Sequence, residues 1–105
     1  MSDFETRPAG GMRSRYLGQR GRNGCMEWLG IRYAMPPVGE LRWRPPQPVP
    51  DWRGIRQVIH FGPACPQAMG LFRRTSPPSH DEDCLFLNIW SPSVTGLKPV
   101  LVWLH

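Results

Sequence analysis

The clearest periodicity lies late in the chain, where Leu85, Leu87 and Ile89 alternate with Phe86, Asn88 and Trp90. This period of two predicts a strand with apolar groups on both faces. After a turn over 91–96, KPVLVWLH is a continuous apolar run of the length expected for a strand covered on both sides. Upstream, RYLGQRGRNGCMEWLGIRYA holds two short extended pieces, 16–20 and 25–29, around Gly21, Asn23 and Gly24. Those turn residues predict a small hairpin. GIRQVIHF, residues 54–61, reads as a short strand with Ile55 and Ile59 facing inward. Between these pieces runs MPPVGELRWRPPQPVPDW, with six prolines from Pro36 to Pro50. Proline fixes φ and removes a backbone donor, so neither a helix interior nor a central strand fits. The segment is expected to be an irregular wrap anchored by Trp43 and Trp52. Residues 62–83 read as loop, and no stretch shows helical periodicity.

Composition makes this pattern look incomplete. The 105 residues suit one small domain, yet 13 are Pro and 11 Gly. Leu, Ile, Val and Phe total 23, almost all after Cys25, which is thin material for a core. Residues 1–14 are polar with nothing to bury and are expected to be disordered. A strand covered on both faces needs neighbours and covering helices, and these would have to follow His105. The expectation is a piece of a larger fold.

Charge and ligand chemistry exclude more than they assign. The net charge is +5, with 12 Arg and one Lys scattered over most of the chain. Arg13, Arg15, Arg20 and Arg22 lie among glycines, which leaves an RNA-binding segment as an alternative, without RGG repeats or a basic stripe. No partnership with nucleic acid or membrane is expected. No window approaches the ~18 apolar residues of a membrane helix. The start carries no apolar export signal, so a cytoplasmic protein is expected. Three Cys and three His show no C-x-x-C or H-x-x-x-H spacing, so no metal and no cofactor are expected.

Four blocks then point to a family. GIRYAMPPVGELRWRPPQP, FGPACPQ, DEDCLFLNIWSP and PVLVWLH occur in this order between Trp28 and His105. They resemble the successive signatures of type-B carboxylesterases, the group of cholinesterases and para-nitrobenzyl esterases. The resemblance implies an α/β fold, the N-terminal fragment of an α/β-hydrolase. In this reading 15–105 is an incomplete part of that domain, mostly short strands and proline-rich wrap. It also implies a serine ester hydrolase with an acyl-enzyme mechanism, acting on a small carboxylic ester. None of the six serines has glycines two positions to either side, so the nucleophile elbow is missing and no catalytic residue is expected in this chain. Alone it is expected to be inactive, with the remaining C-terminal chain of the same fold as its partner. A noncatalytic esterase-like binding protein is the alternative.

The resemblance also assigns roles to particular residues. His105 matches the start of the oxyanion loop. Cys65 and Cys84 match a disulfide that closes a loop beside the active-site gorge. The absence of an export signal argues against the bridge and leaves two free thiols as the alternative. Met69, Leu71 and Phe72 fall near the gorge entrance, with ordinary loop packing as their alternative. The loop 66–83 has no Trp, which argues against choline esters. Arg42 and Glu82 match a structural ion pair, expected to be bidentate and partly shielded by Trp43 and Pro45. Arg32 stands where the family usually has Pro.

Overall fold

The structure, a computed structural model, describes residues 5–6, 13–68 and 80–104. Five strands form in chain order: β1 (Ser14–Leu17), β2 (Gln19–Arg20), β3 (Met26–Arg32), β4 (Gly54–Gln57) and β5 (Phe86–Ser91). The only helical element among the described residues is a 3₁₀ turn, Gly39–Leu41. β2, β3 and β5 make an antiparallel three-stranded sheet with β3 in the centre, and β1 pairs in parallel with β4.

The predicted hairpin forms between β2 and β3, with Gln19 opposite Glu27 and Arg20 opposite Met26. Its turn is closed by Gly21 N–H to the Cys25 carbonyl at 2.7 Å and by Cys25 N–H to Asn23 Oδ1 at 3.0 Å. Just before β2 the backbone passes tightly over Trp28. A Cβ on Gly18 would lie 2.7 Å from the indole, so glycine is required by the approach.

β3 carries the feature that organises the core. It runs opposite β5 with Trp28 facing Ile89 and then, after an irregularity, Ile31 facing Leu87. Three steps along β3 thus match two along β5, which is a β-bulge of one extra residue. Gly30 takes the positive φ this needs, at 76°, and its N–H donates to Asn88 Oδ1 at 2.9 Å. Strict alternation would have placed Gly30 and Arg32 beside Met26 and Trp28. The extra residue instead brings Ile31 to that face and turns Arg32 to the other. Met26, Trp28, Ile31 and Val58 form the buried cluster, with Tyr16 packed against it.

Val58 enters because the chain leaving β4 bonds on two sides. Its N–H donates to the Leu17 carbonyl at 2.9 Å, and its carbonyl accepts from Leu29 N–H at 2.7 Å. This corrects the inward assignment of Ile55, which is 47% exposed. Of the stretch 1–14, expected to be disordered, residues 5–6 and 13–14 are described: Glu5 bridges Leu17, Thr6 N–H donates to the Tyr16 carbonyl at 2.8 Å, and Ser14 opens β1. Ser14 is fixed by Asp51, whose carboxylate accepts from its hydroxyl, and from its N–H at 2.8 Å.

The proline-rich wrap keeps one of its two expected anchors. Trp52 packs edge-on to Tyr16, ring centroids 5.2 Å apart, beneath the Arg56 guanidinium at 3.8 Å. Trp43 is 91% exposed. It sits at the third position of a type II turn, with φ 61° after Arg42 at φ −65°, ψ 133°. Arg44 N–H closes that turn on the Leu41 carbonyl at 3.2 Å.

The expected strand over KPVLVWLH is not formed: its described residues pair with nothing, and Val100 through Leu104 are 72–92% exposed. An apolar run becomes a strand only where a neighbouring backbone supplies its hydrogen bonds, and β5 offers none to it here. Leu87 and Ile89 do share the core face, as their period predicts, but the described residues cover them only in part, leaving them 38% and 43% exposed. No helix among the described residues is long and apolar enough to cross a membrane.

Candidate functional site

The chemistry-bearing residues converge on the short segment that enters β5. Asp81 N–H donates to the Ala64 carbonyl at 3.0 Å, tying this segment to the one that carries Cys65. Three tight local bonds then shape the backbone. Asp83 N–H donates to Asp81 Oδ1 at 2.9 Å, Cys84 N–H to the Glu82 carbonyl at 3.0 Å, and Phe86 N–H to the Cys84 carbonyl at 2.9 Å. Successive turns of this kind leave side chains of neighbouring residues pointing in different directions. Glu82 and Asp83 accordingly meet different arginines.

Arg42 Nη2 lies 2.7 Å from Glu82 Oε1, and its guanidinium is 5.5 Å from the Trp43 ring centre. The side chains of Arg42 and Glu82 are 54% and 45% exposed. The bidentate, shielded geometry expected of this pair is therefore not adopted: there is one contact, and Trp43 faces solvent. The fork geometry occurs instead between Arg32 and Asp83, with Nη1–Oδ1 at 2.5 Å and Nη2–Oδ2 at 2.9 Å. Arg32 also lies over Phe86, 4.6 Å from the ring centre. The bonded guanidinium holds the Asp83 carboxyl below its ordinary range, and the same bond raises Arg32.

Cys65 and Cys84 are neighbours with free thiols. Cys65 Sγ donates to the Cys84 carbonyl at 4.0 Å. Burial first, then the hydrogen bond and charge of Cys65 and the charges of Asp83 and Asp81, push the Cys84 thiol up to about 11. A thiol that keeps its proton at neutral pH is a poor nucleophile, so Cys84 is not suited to covalent catalysis as it stands. Cys25, the third cysteine, lies apart from this pair on the hairpin turn.

The described serines offer no substitute nucleophile. Ser14 donates to Asp51 and accepts from Trp52 N–H at 2.9 Å, while Ser91 and Ser93 hydroxyls bond to the Ser93 and Thr95 carbonyls at 2.5 and 3.2 Å. No group of three His, Cys, Asp or Glu among the described residues could hold a metal ion. His105 and the gorge-entrance candidates Met69, Leu71 and Phe72 lie outside the described residues.

Sequence reasoning missed the Arg32–Asp83 grip and the Asp51–Ser14 knot. Arg32 was visible only as a departure from a motif, and its partner stands 51 residues away. The position that could have signalled it is Gly30: a glycine inside a strand pattern suggests a bulge, and the bulge decides which way Arg32 faces.

Comparison with known proteins gives this geometry its context. The carboxylesterase family matches residues 4–105. Phenmedipham hydrolase of Pseudarthrobacter oxydans is 42% identical over 93 residues, covering 78% of this chain and 19% of its own length. Para-nitrobenzyl esterase of Bacillus subtilis is 38% identical over 86 residues, covering 79% of this chain and 18% of its own length. Among solved structures, a carboxylesterase of Geobacillus stearothermophilus superposes with a TM-score of 0.64 at 43% identity, over 80% of this chain and 16% of that one. The chain thus spans less than a fifth of the length of the relatives it matches.

Proposed function

Because the chain belongs to the carboxylesterase family and forms part of its α/β-hydrolase fold, we propose that it is scaffold for a serine ester hydrolase. In this reading the residues of 15–105 supply the first strands of the sheet and the loop beside the active site. The nucleophile, its acid and its base come from the remaining chain of the same fold. The substrate is a small carboxylic ester, attacked by serine to give an acyl-enzyme that water then cleaves. His105 opens the loop whose backbone N–H groups stabilise the oxyanion, and Met69, Leu71 and Phe72 stand at the entrance.

One observation carries the reading: β5 has apolar side chains on both faces, yet it is an edge strand with little covering it, and an exposed apolar run follows it. Composition of that kind belongs to the interior of a larger sheet. Cys65 and Cys84 have a role in the same scaffold. They close a disulfide when oxidised, and the 20-residue loop so formed restricts the unfolded chain by roughly 3 kcal/mol.

The test is complementation. The chain alone should give no serine-dependent hydrolysis of para-nitrophenyl acetate. Mixed with a chain carrying the rest of a carboxylesterase fold, it should give turnover that a serine-directed fluorophosphonate abolishes. Turnover by the chain alone overturns the claim of inactivity. Stable association without turnover overturns the hydrolase reading in favour of a noncatalytic binding protein.

A further inference from the structure

The two arginine grips before β5 differ in a way that bears on the thiols between them and the strand. Arg42 touches Glu82 once, from an exposed turn. Arg32 is rooted in the sheet as the last residue of β3, directly opposite Phe86, the first residue of β5. Its guanidinium plane is held by the Phe86 ring on one side and by both Asp83 oxygens at its end. The Arg32 end of this grip therefore belongs to the β3–β5 ladder, and its fork pins the Asp83 end, three residues before β5, to that ladder. Cys84 is the residue next to Asp83. Its carbonyl accepts both Phe86 N–H and the Cys65 thiol, so the placement of the two sulfurs depends on where Asp83 is pinned.

We propose that Arg32 is a positioning residue for the thiol pair: through Asp83 it holds Cys84 opposite Cys65 and so sets how readily the two join. The joining half rests on the bridge proposed above; the placement half does not. The bridge forms by exchange with a small-molecule disulfide such as oxidised glutathione. The Cys65 thiolate attacks one glutathione sulfur, the S–S bond breaks, and one glutathione thiolate leaves. The second cysteine, its proton lost to solvent, displaces the other glutathione as a thiolate. Two protein thiols are oxidised and one glutathione disulfide is reduced.

Arg32 contributes both a charge beside Asp83 and a planar fork, and substitutions separate them. In the full chain carrying Cys25→Ser, two quantities are read for each variant. One is the equilibrium constant for bridge formation in glutathione buffers. The other is the rate at which N-ethylmaleimide alkylates Cys84 under reducing conditions, resolved by peptide mass. Arg32→Met should lower the constant about tenfold, the equivalent of one lost charge-assisted contact. It should also raise the alkylation rate several-fold. Arg32→Lys, which keeps the charge without the fork, should fall between. Exchanging the partners, Arg32→Asp with Asp83→Arg, should recover most of the loss.

A merely stabilising arginine would not change Cys84 alkylation in a folded chain. Circular dichroism identifies any unfolded variant, in which case Arg32→Lys and the exchanged pair carry the test. An Arg32→Met chain with an unchanged constant and an unchanged alkylation rate overturns the proposal. If no variant forms the bridge, the bridge reading falls. Arg32 is then judged on alkylation alone, where a raised rate supports its role and an unchanged one refutes it.

Discussion

Replacing Trp43 measures the strain held in the turn of the proline-rich wrap. The residue has φ 61°, a conformation glycine and asparagine adopt readily. For another L residue it costs roughly 1–2 kcal/mol. Little offsets that cost, because the indole is 91% exposed. The Arg42 guanidinium 5.5 Å from the ring returns about 0.5–1 kcal/mol at an exposed site. Trp43→Ala keeps the strained backbone and loses the cation–π contact, so it should destabilise by that ~0.5–1 kcal/mol. Trp43→Asn loses the same contact but relieves the backbone, and should be more stable than the alanine variant by about 1 kcal/mol. Trp43→Gly relieves it too, but gives back about 0.4–1 kcal/mol through the freer unfolded chain. The assay is urea unfolding followed by circular dichroism. A difference of ~1 kcal/mol moves the midpoint by roughly 0.3–1 M at the usual denaturant slopes. An alanine variant as stable as the asparagine variant would refute the assignment of strain to this turn.

Two further outcomes follow from the charged pairs. Double-mutant cycles should give a coupling between Arg42 and Glu82 below about 1 kcal/mol, as for other half-exposed pairs. Arg32 and Asp83, bidentate and more sheltered, should couple more strongly, by about 1.5–3 kcal/mol; equal couplings would contradict the geometric distinction between them. Asp51 is lowered from 3.8 to about 2 by the Ser14 hydroxyl first, then by the backbone N–H of Arg13. A depressed folded value means its contribution is complete above about pH 4 and is lost as pH falls through 2. Tryptophan fluorescence of the Tyr16–Trp52 contact should report that acid transition, and Asp51→Asn should remove it while weakening the contact at neutral pH.

What could be read from the sequence was local. The β2–β3 hairpin was legible because Gly21, Asn23 and Gly24 carry their turn chemistry within a few residues. The common face of Leu87 and Ile89 was legible because a period of two needs no partner to be recognised. Their burial was not, since it depends on what covers the face. The run after Pro99 shows the same limit more sharply: its composition favours a strand, but a strand also requires a second backbone. Trp43 was expected to be buried because indoles usually are, and nothing in LRWR announces a type II turn with Trp where glycine would be easier. Arg42 and Glu82 were found through a resemblance. Arg32 was passed over because its orientation depends on a bulge and its partner lies far along the chain.

The extra residue in β3 acts as a parity setting for everything that follows it in the strand. Were the bulge flattened with every residue kept, odd and even positions would exchange, sending Arg32 toward Met26 and Trp28 and Ile31 toward Asp83. Loss of one residue there would instead leave two steps matching two and keep both faces as they are. The setting rests on Gly30, whose φ of 76° and close approach to the His60 carbonyl leave no room for a Cβ. A substitution at that one glycine therefore threatens the packing of the core and the grip on the thiol loop together.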